Sequence, residues 1–282
     1  MEQSHDRSSA DRLAVPLDGG WTLIPLISAA GGAWALNPGL WSDTPTALVV
    51  MLALVAGSWL PLWRSLTRTD WAAAFSVWAT WSTPALARRW PYVQPGTPGD
   101  HLRRRLALAR SWWQGLGRDC LAYSLRRASG AIVVGLLLSL ALGRQSILLS
   151  LVVLTLAQLA ALWHEGRGRV GALWTSVALV GIPWFLGASL DATDGAVMPV
   201  LSGLALALVI GLHAQPNGWA VVGPVLGAAF LLWQGYPEAV GWLLLLAIPG
   251  LMMLTTRPNR EAYRRTIGPW VLAMVALMAW TL

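Results

Sequence analysis

Long apolar runs alternate with short polar joints over most of the sequence. Nine such runs occupy residues 21–36, 46–63, 129–143, 146–163, 170–190, 195–213, 219–233, 239–254 and 267–282. A helix needs about 20 apolar residues to cross the hydrocarbon core of a bilayer, and somewhat shorter runs can span it with the help of their flanking residues. The pattern predicts an all-α polytopic membrane protein with about nine transmembrane helices.

Arginine is distributed unequally between the joints from residue 129 onward. Three joints hold six arginines between them, at 164–169, 213–218 and 256–265. The alternate joints hold one arginine, at 144–145, 191–194 and 234–238. Basic residues that flank membrane spans stay in the cytoplasm far more often than outside. The distribution therefore predicts a cytoplasmic N-terminus and a C-terminus outside.

Two regions depart from this succession of spans. Residues 1–15 are polar, mixed in charge and without the apolar stretch of a signal peptide. They are predicted to form a disordered cytoplasmic tail in front of a single transmembrane domain at 16–282. The joint at 64–128 is much longer than the others, and it is expected to be a cytoplasmic or interfacial, amphipathic segment.

The long joint contains two elements of interest. The apolar stretch at 71–87 has arginines on both sides, so a crossing would leave one basic cluster outside. An interfacial or re-entrant segment is expected there, with a tenth span as the alternative. After Asp100, apolar residues recur every three or four positions among arginines, which is typical of a helix lying in the membrane interface. Gly115 and Gly117 are expected to break that helix.

Composition supports a membrane protein and excludes several other classes. Hydrophobic residues make up 56% of the chain and charged residues 12%, against about 25% charged residues in a typical soluble domain. All 20 basic residues are arginines that mostly flank apolar runs, so the net charge of +7 indicates orientation in a membrane rather than binding to nucleic acid. The single cysteine, Cys120, excludes a disulfide framework and a cysteine-rich zinc site.

Small residues within the runs predict close contacts between helices. Residues 29–33 are all alanine or glycine. Small residues also recur at four-residue spacing in two neighbouring runs, at Gly203, Ala207 and Gly211 and then at Gly223 and Gly227. Because such spacing lets helix backbones approach closely, these two helices are expected to pack face to face. Gln158, an amide well inside a run, is expected to form an interhelical hydrogen bond.

Candidates for chemistry inside the runs are few. The runs carry no acid or arginine near their middles, which argues against a proton relay, and no catalytic residue or metal site is expected. His164 and His213 lie at cytoplasmic ends of runs and could together ligate a haem or a chlorophyll. Their positions beside Glu165 and Gln215 favour solvated histidines at headgroup level instead, so no cofactor is expected.

The cytoplasmic ends of the runs supply the candidate binding residues. Guanidinium groups bind phosphate in a bidentate manner, and near the end of a span they lie at the depth of the lipid headgroups. The residues expected to bind an anionic headgroup are Arg64, Arg68, His164, Arg167, Arg169, His213 and Arg257.

Nine spans with an internal N-terminus and cytoplasmic joints after spans two, six and eight form a layout that resembles the UbiA-type prenyltransferase superfamily. The GGWTLIP stretch at 19–25 and the RSL ending of the second run are similar to the YwiC-like membrane proteins. UbiA-type enzymes hold Mg²⁺ on a prenyl diphosphate with Asp-rich motifs after spans two and six. Here the first of these joints has only Asp70, Asp100 and Asp119, far apart, and the second, at 213–218, has no acid. None of the family's site residues carries over, and its reaction is not expected.

Three functions are compatible with these observations. The first is a non-catalytic protein of a bacterial plasma membrane that binds a lipid or an isoprenoid, or acts as an assembly factor or a subunit of a membrane complex. Its partners would be membrane lipids and other membrane subunits. The second is a divergent prenyl or lipid transferase in which arginines replace Mg²⁺, and the third is a small-solute transporter. The UbiA-like layout also implies an apolar chamber that opens toward the cytoplasmic leaflet under a roof formed by residues 100–127.

Overall fold

The computed structural model of the chain describes residues 19–36, 39–67, 69, 71, 76–78, 81, 94, 96–162, 169–190, 197–256 and 260–282. These residues are almost entirely helical and contain no strand. Five of their helices are long and apolar enough to cross a membrane. This confirms the prediction of an all-helical protein with several helices suited to spanning a bilayer.

The helices follow the order of the apolar runs. The first are α1 (Ile24–Leu36), α2 (Pro45–Thr67), α3 (Pro98–Trp112), α4 (Arg118–Leu142) and α5 (Arg144–Leu162). They are followed by α6 (169–189), α7 (Val197–His213), α8 (Trp219–Trp233), α9 (Pro237–Thr255) and α10 (Arg260–Thr281). Wider, π-helical turns occur at Val55–Trp59 within α2, at Trp113–Gly117 between α3 and α4, and at Val177–Gly181 within α6.

α1 and α6 are in backbone contact through the small residues at 29–33. A Cβ on Gly32 would collide with the carbonyl oxygen of Trp184, and a Cβ on Gly187 would collide with the carbonyl oxygen of Ala29. α1 also packs along α10. The predicted packing face is therefore confirmed, and it places α1 between α6 and α10.

The small residues of α7 and α8 do not face one another as predicted. Gly223 of α8 does lie on α7, where a Cβ would be 2.5 Å from the carbonyl oxygen of Val209. The small face of α7 is turned to α6 instead, and a Cβ on Gly203 would be 2.9 Å from the carbonyl oxygen of Gly181. A helix with neighbours on two sides can offer its small residues to only one of them. The two helices therefore pack against each other as predicted, but only α8 does so through its small residues.

α3 and α4 form one uninterrupted helix from 98 to 142. Gly115 and Gly117 lie in the π-helical turn, and the backbone keeps a right-handed helical conformation at Trp113 and at Arg118. At 1.5 Å per residue the helix is about 67 Å long, more than twice the roughly 30 Å of a bilayer's hydrocarbon core. The predicted break at the two glycines is wrong, because the helix continues through them in a wider turn.

A tryptophan cluster explains why glycines occur at this turn. The cluster consists of Trp71, Trp78, Trp81, Trp112, Trp113 and Leu121. The rings of Trp78 and Trp112 meet edge to face with 5.4 Å between centroids, and Trp81 Nε1 donates a hydrogen bond to Ser111 Oγ over 3.1 Å. Gly115 makes room for the ring of Trp81, since a Cβ there would be 2.9 Å away from it. The remaining residues of 71–87 lie outside the described residues, and their relation to the membrane stays a prediction.

α4 and α5 form a hairpin at the edge of the bundle. Gly143 makes the turn with a φ of 97°, a conformation that glycine adopts without steric strain. Ser58 Oγ of α2 donates a hydrogen bond to the carbonyl oxygen of Ala131 over 2.8 Å and so holds α4 in place. Gln158 is exposed on the outer face of α5 and makes no interhelical hydrogen bond within the described residues. That prediction is wrong because the side chain points away from the bundle.

Candidate functional site

A small cavity lies where four helix ends meet. It is bounded by the turn that precedes α1, the first half of α6, the end of α7 and the start of α10. Its volume is about 30 Å³, and all the empty space of the surrounding crevice, open solvent included, amounts to about 400 Å³. The walls are apolar side chains apart from Thr175, Ser176 and Arg264. The described part of the cavity wall is therefore apolar with one cation.

Arg264 is the charged residue of this cavity. The residue is only 7% exposed and lies on the same face of α10 as Ile267 and Val271, which are fully buried. Trp21 Nε1 donates a hydrogen bond to the carbonyl oxygen of Arg264 over 2.8 Å and ties the turn before α1 to the start of α10. Burying a guanidinium in a membrane protein is costly, and such residues commonly mark a binding site or a transport path. Arg264 therefore makes this cavity the candidate functional site.

Two hydroxyl groups of α6 complete the polar part of the wall. Thr175 Oγ1 donates to the carbonyl oxygen of Gly171 over 2.8 Å, and Ser176 Oγ donates to that of Ala172 over 3.0 Å. Because each hydroxyl proton is used within the helix, these groups present acceptor lone pairs to the cavity. None of the described lining residues is an acid or a histidine that could act as a general base beside them.

His213 lies beneath the turn that joins α7 to α8, and it is fully buried. Its Nδ1 is 2.9 Å from the carbonyl oxygen of Ala220, which can only accept, so Nδ1 carries the proton and donates it. The prediction of a solvated histidine at headgroup level is wrong. The reason is a compact turn, in which Asn217 N donates to the carbonyl oxygen of Gln215 and Asn217 Oδ1 accepts from Trp219 N.

The imidazole also packs against α9. A Cβ on Gly250 would be 2.6 Å from Nε2 of His213, so the ring fits because this position is glycine. Tyr263 O–H donates to the carbonyl oxygen of His213 over 2.9 Å and fixes the start of α10 beside Arg264. We call His213, Ala220, Gly250 and Tyr263 the His213 cluster. Nε2 of His213 therefore faces Gly250 of α9.

The structure places only part of the predicted headgroup-binding set. Arg64 is half-buried near the end of α2, and Arg169 begins α6. Four members lie outside the described residues, namely Arg68, His164, Arg167 and Arg257. Arg64 and His213 do not line the cavity described above. His213 instead contributes to the cluster that holds α7, α9 and α10 together.

Arg264 is the site residue that the predicted set lacks. It belongs to the arginine-rich joint at 256–265, in which the next residue, Arg265, is exposed. One sequence signal does distinguish the two. Arg264 precedes Ile267 and Val271 by three and seven residues, which is the spacing of one helix face. An arginine on the apolar face of a span is a better candidate than its neighbours in the joint.

A second concavity lies near the opposite ends of α1 and α10. It is an open groove of about 250 Å³ with a floor of alanine and glycine and with Trp34, Trp41 and Trp280 beside it. Neither concavity has a lining residue from 100–127, so neither is the chamber that the UbiA-like layout implies. Among the described residues, no group of three or more His, Cys, Asp or Glu could hold a metal ion.

Comparisons with known proteins indicate neither a family nor a function for this chain. The sequence matches no protein-family model, and neither a curated protein nor a solved structure is similar to it. The resemblance in layout to UbiA-type and YwiC-like proteins stays a prediction. The cavity beside Arg264 and the His213 cluster are the features on which a function can be argued.

Proposed function

We propose that the chain crosses a bacterial plasma membrane nine times, with its N-terminus in the cytoplasm and its C-terminus outside. The support is that four chain positions lead into one cavity, namely those before α1, before α6, after α7 and before α10. The arginine distribution assigns all four of them to the cytoplasm. A topology that put one of them outside would separate helix ends that are in contact.

Single cysteines test this orientation in cells. Tyr236 precedes α9 and Arg265 lies near the start of α10, and both are exposed. A cysteine at 236 should react with an impermeant maleimide in intact cells, and one at 265 only after permeabilisation. The reverse pattern, or reaction of both positions from the same side, would overturn the proposed topology.

We propose further that the cavity binds an anionic amphiphile, a lipid or an isoprenoid, without transforming it. The observation that carries this proposal is an arginine, more than nine-tenths buried as a residue, in an apolar cavity at the end of the bundle. The apolar walls suit a hydrocarbon chain, and the positive charge of Arg264 suits a phosphate. Such a protein would act as a carrier, as a scaffold or as a subunit of a membrane complex.

The polar groups of the cavity support binding rather than catalysis. Transfer of a prenyl group needs the departing diphosphate to be neutralised, which paired carboxylates achieve by holding Mg²⁺. The described walls contribute one cation and two hydroxyls that are bonded to their own helix. These groups can orient a headgroup, but they supply neither a general base nor a metal ligand set. The transferase therefore remains the alternative to be tested.

Matched arginine variants test the binding site. We expect the purified protein to bind phosphatidylglycerol or an isoprenyl monophosphate, and these two probes distinguish a lipid from an isoprenoid. Arg264→Gln should make the binding free energy of the more tightly bound probe less favourable by about 1.5–3 kcal/mol, the usual contribution of a hydrogen bond to a charged group. Arg265→Gln, one residue away and exposed, should leave the affinity unchanged.

A second variant keeps the test decisive if Arg264→Gln destabilises the protein. Thr175→Leu keeps the arginine and fills part of the cavity at a half-buried position. It should also lower the affinity, while the melting temperature serves as the control for folding. Equal affinity in all variants would overturn the site, and Mg²⁺-dependent prenyl transfer by the wild type would replace binding with catalysis.

A further inference from the structure

The first half of the long α3–α4 helix extends well beyond its membrane-spanning part. The part that is long and apolar enough to span is Leu121–Leu142, and the exposed Arg126 and Arg127 near its start indicate the headgroup level. Leu106 precedes Arg126 by 20 residues, which is about 30 Å of helix. Even at a tilt of about 40°, Leu106 would lie roughly 23 Å beyond that level. The headgroup layer is only about 7 Å thick.

Two leucines of this extension are exposed and are not covered by the described part of the chain. Leu102 is 55% exposed and Leu106 is 49% exposed. They lie one turn apart on the same face of α3, and the spacing continues through Ala109 to Trp113 of the tryptophan cluster. A continuous apolar stripe beyond the reach of the bilayer is the feature that a second apolar surface covers in an assembled complex.

Arginines border this leucine face on both sides. At about 100° per residue, Arg105 and Arg110 lie beside the leucine pair, and both are exposed. Arg104 lies on the opposite side, where it forms an ion pair of 2.9 Å with Asp100. The stretch from 71 to 99 contains no acid. A partner with acidic residues would complement this positive charge.

We propose that Leu102 and Leu106, with Arg105 and Arg110 at their sides, are a docking surface for an acidic amphipathic helix of a partner protein. A second copy of this chain does not fit, because the same arginines would oppose one another across a symmetric contact. The bilayer does not fit, because the face lies beyond the headgroup layer. A partner helix with apolar residues every three or four positions and flanking Asp or Glu would match both the leucines and the charges. This inference is independent of the amphiphile site.

The test uses the full chain in nanodiscs that contain phosphatidylglycerol. A nitroxide at Leu106→Cys, with Cys120→Ser, reports its surroundings, since a nickel complex reaches labels in water and oxygen concentrates in lipid. The probes for binding are two synthetic peptides of the same composition. One carries leucines at helical spacing with glutamates at their flanks, and the other carries the same residues in scrambled order.

The proposal predicts a label that is accessible to the nickel complex and becomes protected by the helical peptide. The helical peptide should bind at least about tenfold more tightly than the scrambled one. The double variants Leu102→Ser with Leu106→Ser, and Arg105→Gln with Arg110→Gln, should each lower its affinity about tenfold. Arg104→Gln removes a charge from the opposite side and should leave the affinity within about twofold.

Three results would overturn the proposal. A label that is accessible to oxygen at lipid depth would place this face on the membrane. Equal binding of the two peptides would show that the arginines attract an acidic peptide whatever its pattern of leucines. An effect of Arg104→Gln as large as that of the Arg105 and Arg110 pair would show that no particular face is used. If the leucine variants misfold, the arginine variants alone decide the outcome.

Discussion

The helices around α1 and the α4–α5 hairpin are held in place in different ways. In α6, 67% of the residues in the membrane-spanning window are buried, whereas the share is 22% in α4 and in α5. The inner helices touch backbone to backbone at glycines, and the hairpin is attached to α2 by hydrogen bonds such as that from Ser58 to Ala131. Lipid chains are as apolar as leucine, so close contact and hydrogen bonds, rather than the hydrophobic effect, hold helices together in a bilayer. The two regions should therefore differ sharply in their tolerance of substitution.

The two regions also differ in charge. The joint at 64–128, which leads into the hairpin, holds 11 of the 20 arginines and three of the 13 acids. Its net charge of +8 exceeds the +7 of the whole chain, so the rest of the molecule is close to neutral. Among the described arginines of the inner region, Arg264 is the one that is buried. In the long α3–α4 helix the arginines instead lie close together in the sequence.

The largest expected difference is between glycines of the two regions. Gly187→Leu would push α1 away from α6 and should cost about 3 kcal/mol or more of unfolding free energy, because the contact there is backbone on backbone. Gly130→Leu of α4 meets open space, since no atom lies within 4 Å of a Cβ there, and should change stability by less than about 1 kcal/mol. Unfolding by titration with dodecyl sulfate measures both. Equal losses of unfolding free energy would show that the two regions tolerate a large side chain equally well.

The His213 cluster should show an intermediate effect. Tyr263→Phe removes the donor to the carbonyl oxygen of His213 in a fully buried position and should cost about 1–2 kcal/mol. Tyr123→Phe in the long helix changes a residue that is 71% exposed and should cost less than about 0.5 kcal/mol. The difference in melting temperature between the two variants gives the comparison. If the Tyr263→Phe protein were as stable as Tyr123→Phe, the hydrogen bond of the His213 cluster would not stabilise the fold.

The attachment of the hairpin should be weaker than either of these. Ser58→Ala deletes the hydrogen bond to Ala131 and should cost about 0.6 kcal/mol, the average for such bonds between membrane helices. Ser129→Ala is the control, because Ser129 is exposed and bonds the carbonyl oxygen of Arg126 within its own helix. Unfolding in dodecyl sulfate should rank Ser58→Ala below Gly187→Leu and above Ser129→Ala. A loss at Ser58 as large as that at Gly187 would mean that both regions depend on the same kind of contact.

The smallest expected effect is a pH dependence at the start of α3. Burial raises the pKa of Asp100, but the backbone N–H of Gly96 and the guanidinium groups of Arg103 and Arg104 outweigh it and hold the pKa below its ordinary value of 3.8. The stabilisation is therefore complete above pH 3.8 and is lost as the pH falls through the lowered pKa. A spin label at His101→Cys should become more mobile in that acidic range. With Asp100→Asn the label should be mobile at every pH. If the mobility of the label changed neither with pH nor with Asp100→Asn, the ion pairs of Asp100 would not restrict the motion of this turn.

The sequence was sufficient to predict most helices, because a helix in lipid has to satisfy its own backbone hydrogen bonds and so requires a long apolar run. It was not sufficient to choose contacts between helices. Gly203 shows why, since its spacing gives the face of α7 that packs closely but not the neighbour that it meets. Gly115 and Gly117 show the same limit, because the tryptophan rings that make them necessary come partly from the distant stretch at 71–81.

The candidate site was predictable only in part. Its place at the arginine-bearing end of the bundle followed from the charge distribution, and the spacing of Arg264 from Ile267 would have identified the residue itself. The burial of His213 could not be predicted, because it depends on the turn after α7 and on Gly250, which is remote in the sequence. Arg68, His164, Arg167 and Arg257 stay predictions.

Native mass spectrometry of the intact protein, released from a mild detergent, shows directly whether the chain holds an amphiphile. The cavity beside Arg264 is proposed to hold one anionic amphiphile, so the wild type should retain one such molecule per chain and Arg265→Gln should retain it equally. Arg264→Gln should lose it while its melting temperature stays close to that of the control. A wild-type protein that carries no amphiphile, or an Arg264→Gln protein that retains it unchanged, would show that the cavity beside Arg264 is not the binding site.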